Sequence, residues 1–132
     1  MNRLKVLIAD DNCAFRRVVR QLLAPHFQVI GEASDGVQAV EMAQRLRPDV
    51  VLLDIAMPRL NGIEVARQLR LAHASSAVVF LSVVEDREIA MAALEAGGRG
   101  YVAKAHLAAD LEPAVRAALA GKRFVSAGIP VN

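Results

Sequence analysis

Short apolar runs alternate along this chain with stretches whose apolar residues recur at helical spacing, and that alternation constrains the fold more than any other feature. The runs are Leu4 to Ala9, Phe27 to Ala33, Val50 to Leu53, Ala77 to Ser82 and Gly100 to Ala103. Most are rich in Val, Ile or Leu and bounded by turn residues, so they read as strands buried on both faces. Phe15, Val18, Val19, Leu22 and Leu23 mark a first helix that Pro25 ends; Val37, Val40, Ala43 and Leu46 mark a second, after the turn Ser34-Asp35-Gly36. Ile63, Ala66 and Leu69 belong to a third, and residues near Glu85 to Ala96 to a fourth. The last stripe is Leu111, Ala114, Val115, Ala118 and Leu119. Asp110 is predicted to cap it, which puts Pro113 in the first turn, where its missing amide costs no helical bond. Five strands alternating with five helices predict a parallel sheet covered on both faces.

A chain of 132 residues suits one domain. The expected division is a domain over residues 1–121, with 122–132 as a tail or the start of a linker. Hydrophobic residues make up 55%, yet no apolar stretch approaches the roughly 20 residues of a membrane span. Met1-Asn2-Arg3 runs straight into the first strand, leaving no room for a signal peptide, and the single cysteine, Cys13, agrees with a reducing compartment. A cytoplasmic location without a membrane partner is expected. A net charge of +2 is too slight to argue nucleic-acid binding.

Asp10 and Asp11 close the first run and Asp54 the third, so each acid emerges at a strand's carboxyl end, the rim where open α/β sheets bind ligands. If the two strands are neighbours, three carboxylates converge, and their repulsion calls for a hard divalent cation on oxygen ligands. Ser82 and Lys104 end the fourth and fifth strands, on the same rim. One of Asp10 and Asp11 is also expected to cap the first helix, but capping does not account for Asp54, which Ile55-Ala56-Met57-Pro58 follows. Alone, Lys104 would be a solvated charge and Ser82 a turn residue; their shared position argues for function. His26, His73 and His106 lack metal-ligand spacing, and Cys13 reads as a small helix residue.

Taken in order and each near a strand end, Asp10-Asp11, Asp54 with Met57-Pro58 and Gly62, Ser82, Tyr101 and Lys104 resemble the receiver domain of two-component response regulators, over nearly the whole chain. The resemblance implies a flavodoxin-like, doubly wound, five-stranded parallel sheet of order 2-1-3-4-5. It implies that Asp54 is the phosphoacceptor, taking a phosphoryl group from a sensor histidine kinase or a phosphotransfer protein. Magnesium, replaceable by manganese, would be held by Asp11, Asp54 and the Ala56 backbone carbonyl, with Asp10 acting through water. Lys104 and Ser82 would bind the phosphoryl group, and Ser82 and Tyr101 would form the switch. Such a chain is a phosphoacceptor switch that dephosphorylates itself slowly rather than an enzyme acting on other substrates. A degenerate receiver that works as a phosphorylation-independent interaction module is the alternative.

Within that family, Val29 to Ala33, Asn61 to Glu64 and Gly121 to Ser126 look like the transcription-factor branch with a C-terminal LuxR-type helix-turn-helix. DNA contact would then belong to an output domain and not to these residues, and a homodimer is a further expected partner. Two departures stand out. Ala105 replaces the proline usual after the lysine, which predicts a trans Lys104–Ala105 bond or, if cis, a strained one held by the site, and Val83 replaces a smaller residue, which predicts narrower access to Asp54. Ala56 stands where aspartate-nucleophile phosphohydrolases carry a general acid, and Asp-Asp-Asn-Cys is unlike the Ser/Thr/Gly phosphate loop of a flavodoxin. The fourth helix is apolar almost all round, through Ile89, Met91, Ala92 and Leu94, which suggests a partner surface. Arg16, Arg17 and Arg20 read as a solvated face.

Overall fold

The computed structural model describes residues 3–131. In chain order the elements are β1 (Lys5–Ala9), α1 (Cys13–Leu23), β2 (Gln28–Ala33), α2 (Gly36–Leu46), β3 (Val50–Leu53), α3 (Gly62–Leu71), β4 (Ala77–Ser82), α4 (Arg87–Glu95), β5 (Gly98–Ala103), α5 (Leu107–Leu119) and β6 (Phe124–Val125). The sheet is parallel throughout, in the order β2-β1-β3-β4-β5-β6. The expected 2-1-3-4-5 order and five helices are present, and the short β6 extends the sheet beside β5.

Strand pleating explains why the apolar runs are continuous. Val6, Ile8, Val50, Leu52, Val79, Leu81 and Val102 face one core together with Val19 and Leu23 of α1 and Leu111 and Val115 of α5. Their alternate neighbours, including Leu7, Ala9, Val51, Leu53, Phe80, Tyr101 and Ala103, face a second core shared with α2, α3 and α4. β1, β3, β4 and β5 are therefore each covered twice. On α1 the sequence stripe is wider than the buried face, because Val18 is 46% exposed while Val19 is fully buried. On α4, Ala90, Ala93 and Leu94 are buried and Ile89, Met91 and Ala92 half-buried, so small residues packed close to the sheet account for much of its apolar surplus.

Three expectations are corrected. Neither Asp10 nor Asp11 caps α1. Asn12 does, its side chain accepting from the Phe15 amide at 3.0 Å while Asp10 Oδ1 accepts from the Asn12 amide at 2.8 Å. The helix starts one residue too late for an acid to cap it, which leaves both carboxylates on the rim. Secondly, α5 begins at Leu107, straight out of a single 3-10 turn over Lys104–His106 and with no side-chain cap. Asp110 accordingly lies inside the helix. Pro113 is its seventh residue, where the missing amide does remove a helical bond. Thirdly, Arg16 and Arg20 are not simply solvated: both bond Glu32 at the end of β2, at 3.0 and 2.6 Å.

Residues 122–131, expected as a tail or linker start, fold onto the domain. Ser126 is buried; its hydroxyl donates to Asp110 Oδ2 at 2.6 Å and accepts from the Ala103 amide at 3.0 Å, and Ile129 packs into the α4-side core.

Replacing Pro113 with alanine restores an amide donor on the exposed face of α5, and is expected to stabilise the chain by roughly 1–3 kcal/mol. Urea unfolding followed by circular dichroism measures it; an unchanged or lower midpoint contradicts the helical placement.

Candidate functional site

Register brings the acids together. Ala9 pairs with Leu53 between β1 and β3, so Asp10 and Asp54 leave the sheet side by side. Their backbones continue the ladder, the Asp54 amide donating to the Ala9 carbonyl at 2.9 Å and the Asp10 amide to Ala33 at 3.0 Å. Asp11 follows, exposed, and one carboxylate oxygen from each of Asp10, Asp11 and Asp54 lies within 4.8 Å of the others. Asp10 and Asp54 are buried. Across the sheet Ser82 pairs with Ala103, so Lys104 emerges next. Its ammonium donates to Asp10 Oδ2 at 2.8 Å and lies 3.6 Å from Asp54 Oδ2.

The same pleat sorts the other rim residues. Lys104 continues the phase of Val102, toward α1 and α5, and its Nζ sits 4.1 Å from the centre of the Phe15 ring. Ser82 and Tyr101 share the opposite phase, toward α4. Ser82 Oγ accepts from the Val84 amide at 2.9 Å, and the fully buried Tyr101 donates its hydroxyl to the Val84 carbonyl at 2.6 Å. Burial, chiefly, holds the Tyr101 phenol above its ordinary range, so it stays a neutral donor at physiological pH. Tyr101, expected as part of the switch, is thus already inside.

Two glycines fix the loop after Asp54. A Cβ at Gly62 would collide with the Asp54 carbonyl oxygen, and one at Gly36 with that of Leu60. The Gly62 amide donates to Ile55 at 2.8 Å, closing the loop. Ala56 within it is exposed, and no side chain there adds a fourth acid. Val83, expected to narrow access to Asp54, is 74% exposed beside Ser82. The Lys104–Ala105 peptide is trans, the first of the two alternatives the missing proline left open.

Electrostatics single out Asp54. Burial, then the Asp10 charge, push its carboxyl up to about 6; Asp11 adds to the rise, while Lys104 and the Ile55 amide oppose it. An all-oxygen donor set of three carboxylates suits a hard divalent cation. Three carboxylates with one ammonium leave two net negative charges, which one such ion neutralises. Sequence reasoning found these acids, Ser82, Tyr101 and Lys104, but read Phe15 only as part of a core stripe; its place in the first turn of α1, nearest the rim, was the available signal.

Comparison with known proteins shows what the chain is similar to. A family model described as the response regulator receiver domain matches residues 6–116. The chain is 40% identical over 123 residues to the nitrate/nitrite response regulator protein NarL of Escherichia coli K12, covering 92% of this chain and 57% of that protein. It is 35% identical over 125 residues to the response regulator GacA of Pseudomonas syringae, covering 93% and 58%. It therefore spans little more than half the length of these relatives. Among solved structures, a LuxR-family two-component response regulator from Aurantimonas superposes with a TM-score of 0.91 at 31% identity, covering 97% of this chain and 93% of that one. Among the described residues no helix is long and apolar enough to cross a membrane.

The raised Asp54 value sets a pH dependence. A carboxyl whose folded value exceeds its unfolded one adds stability below the unfolded value near 4, and that stability is lost as pH rises through about 6. With divalent cations chelated, Asp54→Asn is expected to be more stable than the parent at pH 7.5, the advantage shrinking toward pH 4. Urea midpoints across that range measure it, and a pH-independent difference contradicts the assignment.

Proposed function

The chain belongs to the response regulator receiver domain family, and on that premise we propose that it accepts a phosphoryl group on Asp54 from a sensor histidine kinase or phosphotransfer protein, and so controls an output, transcription being the one its relatives favour. The observation that carries this is the single rim on which a buried, raised-pKa carboxylate meets two further acids and a lysine. The relatives named as transcriptional regulators include DegU of Brevibacillus brevis, 34% identical over 133 residues. A protein-glutamate methylesterase of Myxococcus xanthus is also similar, at 42% over 104 residues, so receivers of this kind serve more than one output. A cytoplasmic location and a homodimer accord with the reading.

In the proposed reaction an Asp54 carboxylate oxygen attacks the phosphorus of a phosphohistidine; the O–P bond forms as the P–N bond breaks, and the imidazole leaves and is protonated. Asp11, Asp54 and the Ala56 carbonyl would hold Mg2+ or Mn2+, with Asp10 bound through water. A bound divalent ion supplies neutralisation of the phosphoryl oxygens that the carboxylates alone would repel. Lys104 exchanges its carboxylate partners for a phosphoryl oxygen. Ser82 donates its hydroxyl to another while continuing to accept from the Val84 amide, and because Tyr101 bonds the Val84 carbonyl, that exchange fixes the β4–α4 loop with Tyr101 inside. The switch is thus a locking of a conformation already accessible. The intact acid set weighs against a degenerate receiver.

Incubation with acetyl phosphate and Mg2+ is expected to give one acid-stable, base-labile phosphoryl adduct by intact mass. The adduct should be absent without the cation and absent from Asp54→Ala. An adduct that survives in Asp54→Ala, or none in the parent with either acetyl phosphate or a kinase, defeats the reading.

A further inference from the structure

We propose that Phe15 is a positioning residue for Lys104, holding the ammonium over the rim through its ring so that an incoming phosphoryl group meets a preplaced counter-charge; this rests on the phosphoacceptor reading of Asp54. A lysine is a point charge on a flexible four-carbon stem, and left alone at a strand end it would disperse into solvent. Here the Lys104 side chain is only 16% exposed. Three groups hold its Nζ: Asp10 Oδ2 at 2.8 Å, Asp54 Oδ2 at 3.6 Å and the Phe15 ring centre at 4.1 Å. The 4.1 Å distance is well inside the roughly 6 Å range of cation–π attraction.

The three contacts differ in what phosphorylation does to them. Both carboxylates are wanted by the divalent ion, and Asp54 itself becomes the acyl phosphate. The ring is neutral, binds no metal and competes for no phosphoryl oxygen. Of the three it alone persists while Lys104 changes partners. Its placement is set by the fold, since Phe15 lies in the first turn of α1, half-buried against the same core that Val102 enters two residues before Lys104. A leucine would fill much of the same space without presenting a quadrupole to the charge, so packing and positioning are separable.

The test follows phosphorylation by acetyl phosphate at saturating Mg2+ in the full chain. Phe15→Leu is expected to slow adduct formation roughly tenfold, and Phe15→Tyr to restore most of the rate. In a Lys104→Met background Phe15→Leu should have no further effect. If Phe15→Leu folds poorly, ring-fluorinated phenylalanines at position 15 keep the shape while weakening the face, and the rate should fall stepwise with fluorine number. Independently of phosphorylation, Lys104 Hε resonances should carry a ring-current shift that Phe15→Leu removes. Normal labelling with a flat fluorine series, an equal slowing in the Lys104→Met background, or no ring-current shift overturns the role of Phe15. A parent chain that takes no phosphoryl group, its ring-current shift intact, overturns the reading of Asp54 and the proposal with it.

Discussion

Repulsion among three carboxylates is the constraint around which this molecule is arranged. Two of them, Asp10 and Asp54, are buried side by side because β1 and β3 are register partners, and Asp11 is brought in by the turn that follows. Holding such charges out of water is costly unless they are paired, protonated or bound to a cation. The fold meets that cost partially: Lys104 comes across from β5, the Asn12 amide bonds Asp10, and the Ile55 amide bonds Asp54. Two net charges are left over. A scaffold that leaves a concentrated, oxygen-lined negative charge at one rim has stability to regain from a divalent ion.

Much of this was legible in the sequence, for a physical reason. A strand covered on both faces leaves no solvent-facing position to break its apolar run, so β1, β3 and β4 announce themselves, and an acid, serine or lysine at the end of such a run is conspicuous. The parts that resisted depend on partners remote in sequence. Glu32 could not be matched to Arg16 and Arg20 until α1 was laid beside β2; there burial pushes its carboxyl up, but bonds from Arg20 and Arg16 together hold it below its usual range. The start of α5 was missed because it grows out of a 3-10 turn without a capping side chain, whereas Asp110 looked like a cap and in fact receives the Ser126 hydroxyl. β6 is two residues long and has no periodicity to read.

The side chains of the site also divide by strand phase in a way that composition cannot convey. Asp10, Lys104 and Phe15 meet on the α1 side, where charge is received; Ser82 and Tyr101 lie on the α4 side, around the Val84 backbone. One pleat thus places the two groups on opposite sides of a single sheet, and on the proposed reading it would separate the chemistry from its readout; β5 carries Tyr101 and delivers Lys104 just past its end.

The two glycines around the Asp54 loop have a mechanical consequence. With Gly62 against the Asp54 carbonyl and Gly36 against Leu60, that side of the pocket is backbone on backbone, and no rotamer change can absorb a displacement there. The opposite side, by contrast, is closed by two hydrogen bonds to Val84 beside the exposed Val83. Asp54 is therefore flanked on one side by a loop fixed through close backbone packing and on the other by a loop held through hydrogen bonds, and a displacement toward Val84 would meet the smaller steric resistance.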